Sequence, residues 1–348
     1  MSQVTGERIR KHPIEAFFLL AIAIAFALLF PAVLIVPKNT MFGQILGFYL
    51  ARVAVFSPVL AGMFVVRITQ PQQQRVRLSR RLSVFLPAWV IAGVIQTASL
   101  KLTAPPGTAM IGLILISLPV SLLPAFVISM AFSGSDGVRQ MLATLLRPKG
   151  SILYYLVALL AFPAIHVAGT GIRNVMNGKA WFPQVSEGGD LALTVFITFF
   201  SVLFFSGGIN EESGWRGFAQ RRLQARHSPL VANLVLWILM VVWHIPNDIV
   251  QYRQGGYVLV RLALYPCITI LFGWIYNRTK GSILAPAIFH ASMNSMNPMI
   301  GAFPITTEGN VLLVGLTIIA VVTGRMWRRL PGTHPAVYQE AVPSGSAG

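Results

Sequence analysis

Apolar runs of about 20 residues recur along most of this 348-residue chain. Each is long enough to cross a hydrocarbon core about 30 Å thick. Backbone N–H and C=O groups in lipid have no water to bond, so a spanning run must satisfy them internally, as a helix. The pattern predicts helices near 14–36, 42–66, 82–100, 109–132, 151–172, 191–212, 229–246, 258–276, 282–300 and 310–327. The expected fold is all-α, a polytopic integral membrane bundle of about ten transmembrane helices. Composition agrees: 11% of residues are charged, against about a quarter in soluble globular chains. One cysteine, Cys267, leaves no disulfide framework and no cysteine-based zinc site.

A net charge of +17 invites a nucleic-acid reading, and its distribution argues against one. With the N-terminus placed in the cytoplasm, the inner segments hold Arg8, Arg10 and Lys11, then Arg67, Arg75, Arg77, Arg80 and Arg81. Arg139, Arg147 and Lys149 follow, then Arg216, Arg221, Arg222 and Arg226, and finally Arg278, Lys280, Arg325, Arg328 and Arg329. The outer loops carry only Lys38, Lys101, Arg173, Lys179 and Arg253. That bias is the positive-inside rule for one orientation, with both termini cytoplasmic, as in a bacterial-type cell membrane. The partners this predicts are membrane lipids, not nucleic acid.

The first run is too long for a signal-peptide core and is read as a retained helix. Residues 1–190 form an N-terminal set of helices without a recognised motif, 191–300 hold the chemistry-bearing residues, and 301–330 add a last helix. Residues 331–348, rich in Pro, Gly, Ser and Ala, read as a disordered cytoplasmic tail. Residues 136–147 suit a short interfacial helix, with Val138, Met141, Leu142 and Leu145 on one side and Arg139 and Arg147 towards headgroups.

Most of the ten acidic residues fall in loops, tails or helix starts, but Glu211 and Glu212 end a long apolar run. A charge at the bilayer centre costs at least about 2.5 kcal/mol, so such residues face a polar interior and have partners. Glu211 precedes Ser228 by 17 residues and His244 follows it by 16. In an antiparallel hairpin these counts put both in one layer, about 25 Å from the turn. His290 and Asn294, four apart, share one helix face, and small neighbours (Ala287, Ala291, Ser292) permit close helix approach. Glu212 and Arg216 stand at i,i+4 and suit an ion pair. His166 reads as a helix–helix hydrogen bond, Asp248 as a loop carboxylate, Arg261 as a snorkelling side chain, and Arg52 as a partner either for a substrate carboxylate or for a structural group.

A carboxylate and an imidazole on facing helices can share a water and take its proton. A second imidazole and an amide can donate to an oxyanion on the attacked carbonyl. This chemistry suits peptide-bond hydrolysis and needs no cofactor. The alternative is zinc held by Glu211, His244 and His290 with water as fourth ligand, although no HExxH pair is present. A transporter with a proton-relaying carboxylate, or a non-catalytic scaffold, is the other class. A transporter predicts paired broken helices in repeated halves, and the sequence shows no such repeat.

Glu211-Glu212-Ser213-Gly214-Trp215-Arg216 matches EExxxR, and His290-Ala291-Ser292-Met293-Asn294 matches HxxxN. With VVWHIPN between them, residues 191–300 resemble the CPBP family of intramembrane proteases, which includes CaaX prenyl endopeptidases and bacteriocin self-immunity proteins. The resemblance implies water activation by Glu211 with His244, an oxyanion hole of His290 and Asn294, and support from Glu212 and Arg216. It also implies a membrane-associated protein or peptide substrate, with or without a prenyl group. The sequence departs at the family's FxxxH motif, where Met240 stands four residues before His244.

Overall fold

A computed structural model describes residues 3–37, 39–70, 77–181, 190–251, 256–296 and 306–330. Among these the secondary structure is helical, with no strand. A short helix α1 (Gln3–Lys11), placed in a tail by the hydropathy pattern, precedes α2 (Pro13–Phe30), which runs on into a π-turn at Pro31–Ile35. Then come α3 (Met41–Val55), α4 (Ser57–Thr69), α5 (Leu78–Thr103), α6 (Met110–Ser133), α7 (Asp136–Leu142) and α8 (Ile152–Met176). The second half holds α9 (Leu191–Phe205), α10 (Ile209–Gly214), a π-helical turn (Trp215–Gln220) and α11 (Arg221–Arg226). It ends with α12 (Pro229–Gln251), α13 (Gly256–Arg278), α14 (Leu284–Ser295) and α15 (Thr307–Gly324).

Seven helical stretches among the described residues are long and apolar enough to cross a membrane, or eight with one bent pair counted as a span. The molecule is a polytopic all-α membrane protein, but the count of ten is not reproduced. Three differences from the hydropathy pattern have local causes. The expected helix 42–66 is two helices, α3 and α4, bent by 46°. Pro58 opens α4, and it has no N–H to carry the α3 ladder onward. The expected span 282–300 is α14, 12 residues long. At about 1.5 Å per residue it covers little more than half of a bilayer core. Its expected continuation at 297–300, like the tail 331–348, lies outside the described residues. The expected interfacial helix 136–147 is α7, and its apolar side faces protein rather than lipid. Val138, Met141, Leu142 and Leu145 are buried in the main core with Trp215 and Phe218.

Polar caps set several helix starts. Thr40 accepts from Gly43 N at 3.1 Å, Asp190 from Leu193 N at 3.0 Å, and Thr306 from Gly309 N at 3.1 Å. Each satisfies one of the four N–H groups that a helix start leaves without an intrahelical acceptor. Around the second-half helices, α4 packs on α10, α8 and α9 on α14, and α2 and α13 on α12. Helix α10 therefore meets α14, and the π-helical turn that follows α10 meets α12.

Candidate active site

The site begins with a broken helix. Helix α9 stops at Phe205, and Gly207 adopts φ +126°, a conformation open to glycine because it has no Cβ. A Cβ there would also fall on the His290 imidazole ring, so glycine is required twice. Asn210, fully buried, holds the break: its Oδ1 accepts from Gly207 N at 3.0 Å and its Nδ2 donates to Val55 O at 3.3 Å. Arg52 donates to Phe205 O at 3.3 Å and to the Ser206 hydroxyl. A cation at the C-terminal end of α9 meets both the unpaired carbonyls and the negative end of the helix dipole. Arg52 thus has structural partners, the second of the two readings its position in an apolar run allowed.

After the break α10 presents Glu211 and Glu212, both buried, in its first turn. Glu212 is the hub of an ion-pair cluster. Its Oε1 lies 2.8 Å from His290 Nδ1 and its Oε2 lies 3.0 Å from Arg216 Nη1. Arg216, fully buried, also points Nη1 at the Met240 sulfur at 3.8 Å and stacks its guanidinium over Phe272 at 4.5 Å. Removing one partner from such a buried pair strands a charge, which costs about 3–5 kcal/mol. Glu211 accepts a hydrogen bond from Trp215 Nε1 at 3.3 Å. The ring of Trp215 stands edge-on to Trp243 at 6.0 Å, and Trp243 donates to Ser57 Oγ at 2.9 Å.

Close approach of α10 depends on a second glycine. A Cβ on Gly214 would strike the backbone of Pro58, so α4 fixes the height of the two glutamates. Across the hairpin, Trp215 faces Trp243 and Arg216 faces Met240. This register lies within two residues of equal counting from Ser228.

His244 is half-buried and its Nδ1 lies 2.7 Å from Met240 O. A carbonyl oxygen only accepts, so Nδ1 carries the proton and Nε2 is the basic nitrogen of the neutral ring. The imidazole stands edge-on to Trp243 and Tyr265. His290, buried on α14, packs its ring against Phe272 at 5.4 Å. Asn294 follows one turn later on the same face and is half-buried.

The loop before α14 is tied down by the first half of the chain. Thr144 Oγ1 donates to Gly281 O at 2.8 Å and accepts from Ile283 N at 3.1 Å, while Leu284 N donates to Thr144 O at 3.3 Å. The Tyr155 hydroxyl donates to Ser282 Oγ at 2.8 Å and accepts from Lys149 N at 2.8 Å. These contacts hold α14, and so His290, at a fixed height.

The sequence-predicted residues divide as follows. Glu211, Glu212, Arg216 and His290 are brought together, and Asn294 shares the face of His290. His244 sits beside Trp243, which reaches Glu211 through Trp215. Among the described residues, no three His, Cys, Asp or Glu side chains stand in a metal-ligating group. His290 directs its Nδ1 to Glu212. Asn210, Trp215 and Thr144 were not singled out from sequence. Asn210 had a usable signal, a buried amide beside the two glutamates, whereas Thr144 had none.

Residues 191–296 match the family model described as Type II CAAX prenyl endopeptidase Rce1-like. A curated relative, CAAX prenyl protease 2 of Methanococcus maripaludis, is 27% identical over 118 residues. That alignment covers 31% of this chain and 42% of the relative, so the chain spans less than half of the relative's length. Residues 191–296, which hold the whole EExxxR and HxxxN constellation, are thus similar to the catalytic region of CAAX-type membrane endopeptidases.

Proposed function

We propose that this protein is an intramembrane endopeptidase that hydrolyses a peptide bond near the membrane surface by attack of a water activated by Glu211 and His244. The observation that carries the reading is the buried cluster of Glu211, Glu212, Arg216 and His290 inside an apolar bundle. Trp215 Nε1–H is the one hydrogen-bond donor to Glu211 among the described residues, which leaves carboxylate lone pairs for a water proton. His244, with its proton on Nδ1, offers Nε2 as an acceptor for the same step.

The role of His290 follows from its bond to Glu212. With Nδ1–H given to that carboxylate, Nε2 can donate to an oxyanion only in the imidazolium form. Two carboxylates beside Arg216 leave room for that second positive charge, so the pair Glu212–His290 would supply a charged oxyanion donor with Asn294 as its neighbour. Glu212 and Arg216 then act by positioning. This reading needs no metal, and zinc held by Glu211, His244 and His290 is its competitor. Full loss of activity with a chelator, restored by stoichiometric zinc, would decide for zinc.

The relative's name makes a prenylated CaaX C-terminus the first substrate to try. With the termini in the cytoplasm, cleavage would occur on the cytoplasmic side; cysteine labelling placing residue 180 on the same side as residue 75 would reverse that orientation. The direct test is cleavage of prenylated and unprenylated CaaX peptides by the full chain in liposomes. Glu211→Gln should abolish cleavage at wild-type expression, and wild-type rates in that variant would sink the proposal. If neither peptide is cut, a comparison of cellular protein C-termini with and without the chain would seek another substrate.

A further inference from the structure

Helix α4 has two faces with different neighbours. Pro58 and Gly62 point towards the site, against Gly214 and Phe218. Leu60, Met63, Phe64 and Arg67 lie on the opposite side and line a groove of about 440 Å³. Its far wall is α6, through Phe126 and Met130, and Arg81 of α5 closes the end beside Arg67. Phe64 and both arginines are exposed. The groove is thus apolar along its length and cationic at one end.

That end is unusually rich in unbalanced charge. Residues 67–81 contain five arginines and no carboxylate. Arg67 and Arg81 form no ion pair or side-chain hydrogen bond with the described residues, whereas nearby Arg139 is neutralised by Asp136 on its own helix. A second cleft beyond α7, about 330 Å³, adds Arg80 and Arg147. Arg67 and Arg81 lie at the C-terminal end of α4 and the start of α5, where the positive-inside pattern puts the membrane interface.

We propose that this groove is a binding site for an anionic phospholipid, with one acyl chain along Leu60, Met63 and Phe64 and the headgroup phosphate between Arg67 and Arg81. Basic pockets between helices at the membrane interface favour anionic headgroups, and paired guanidinium groups match phosphate geometry. A zwitterionic lipid would leave the two arginines unmatched by net charge. The peptide substrate is the poorer occupant, because the groove lies on the face of α4 turned away from the glutamates. The positive-inside pattern makes the inner leaflet the source.

The test is native mass spectrometry of the full chain released from vesicles of equal phosphatidylglycerol and phosphatidylcholine, reading the lipids retained. Wild type should retain phosphatidylglycerol selectively. Arg67→Gln with Arg81→Gln should lower that selectivity about ten- to thirty-fold, the effect of two interfacial charges. Arg328→Gln with Arg329→Gln removes equal charge from the same predicted side, outside the groove, and should leave the selectivity intact. Phe64→Ala, which shortens the apolar wall without touching charge, should weaken retention of both lipids and keeps the idea testable if the arginine variant inserts poorly. Equal losses in the two double variants would overturn the proposal in favour of a diffuse surface attraction. Displacement of the lipid by a prenylated peptide would overturn it in favour of a substrate groove.

Discussion

Buried hydroxyls close onto their own helices in both halves of the molecule, but among the described residues the second half adds buried charges paired across helices. Before residue 191 buried hydroxyls mostly close onto their own helices: Ser117 donates to Leu113 O, Ser121 to Ser117 O and Ser133 to Ser129 O. After it, Glu212 reaches His290 across 78 residues, and Gln220 donates to Gly273 O from another helix. The buried charged side chains among the described residues, Glu211, Glu212, Arg216 and Arg222, all belong to the second half. A hydroxyl bonded to its own helix costs a span little, whereas a carboxylate at membrane depth must be matched by a partner. Locally satisfied polarity is compatible with a scaffold; polarity satisfied across helices marks the place where the fold carries an expense that function has to explain.

The sharpest way to break this comparison is the pair of adjacent glutamates. Glu211→Gln should lower the cleavage rate by about 10²–10⁴-fold, the usual range for losing an acid–base group, with thermal stability near wild type because its single donor, Trp215, can bond the amide oxygen. Rate and melting temperature measured on the same preparation read both. A collapse in stability together with rate would make Glu211 a structural residue and dissolve the distinction.

Glu212→Gln should do the reverse first. It leaves Arg216 buried without its carboxylate, at about 3–5 kcal/mol, and removes the acceptor that orients His290. Yield and melting temperature should fall steeply. Glu212→Leu combined with Arg216→Met removes both charges at similar volume and should recover much of the stability without recovering activity. Recovery of both would show that the ion pair serves neither positioning nor catalysis.

The first half enters through Thr144. Thr144→Val keeps the shape but deletes the hydroxyl that bonds Gly281 O and Ile283 N, leaving two backbone groups of the α14 approach unpaired. The expected loss is about 1–3 kcal/mol, with a fall in turnover because α14 carries His290. Unchanged stability and turnover would mean that the second half needs no bracing from the first.

Much of the site was legible in the sequence because membrane depth makes charge conspicuous. Glu211, Glu212, Arg216 and His290 stand out from apolar surroundings, and counting from Ser228 gave the hairpin register to within two residues. What was hidden has physical reasons. The bend at Phe56 and the break at Ser206–Gly208 lie inside hydrophobic runs, and hydropathy does not register a change of backbone direction. The burial of α7 was missed because an amphipathic segment looks the same whether its apolar face meets lipid or protein. The Glu212–His290 bond was missed because the i,i+4 spacing of Arg216 already offered Glu212 a partner, and pairing a carboxylate with two cations at once needs the third dimension.

The smallest effect tests the same comparison at its edge. Tyr155 is the first-half residue whose hydroxyl joins Lys149 N to Ser282 Oγ. Tyr155→Phe retains the ring, which packs in the cluster with Phe162, Phe289 and Ile275, and removes only the hydroxyl. Of the partners it releases, Lys149 is exposed, so water can replace its bond, while buried Ser282 keeps Thr144 O as a partner. The net loss should therefore be about 1 kcal/mol, the typical worth of one hydrogen bond. Because Ser282 also reaches Thr144 O at 3.4 Å, the two first-half contacts share a partner and should not be independent. Tyr155→Phe with Thr144→Val should then differ from the sum of the single changes by at least about 0.5 kcal/mol, as neighbours in one network do. Strict additivity in a melting experiment would show two separate attachments, and the first half would hold α14 by isolated pegs rather than by a single connected clamp.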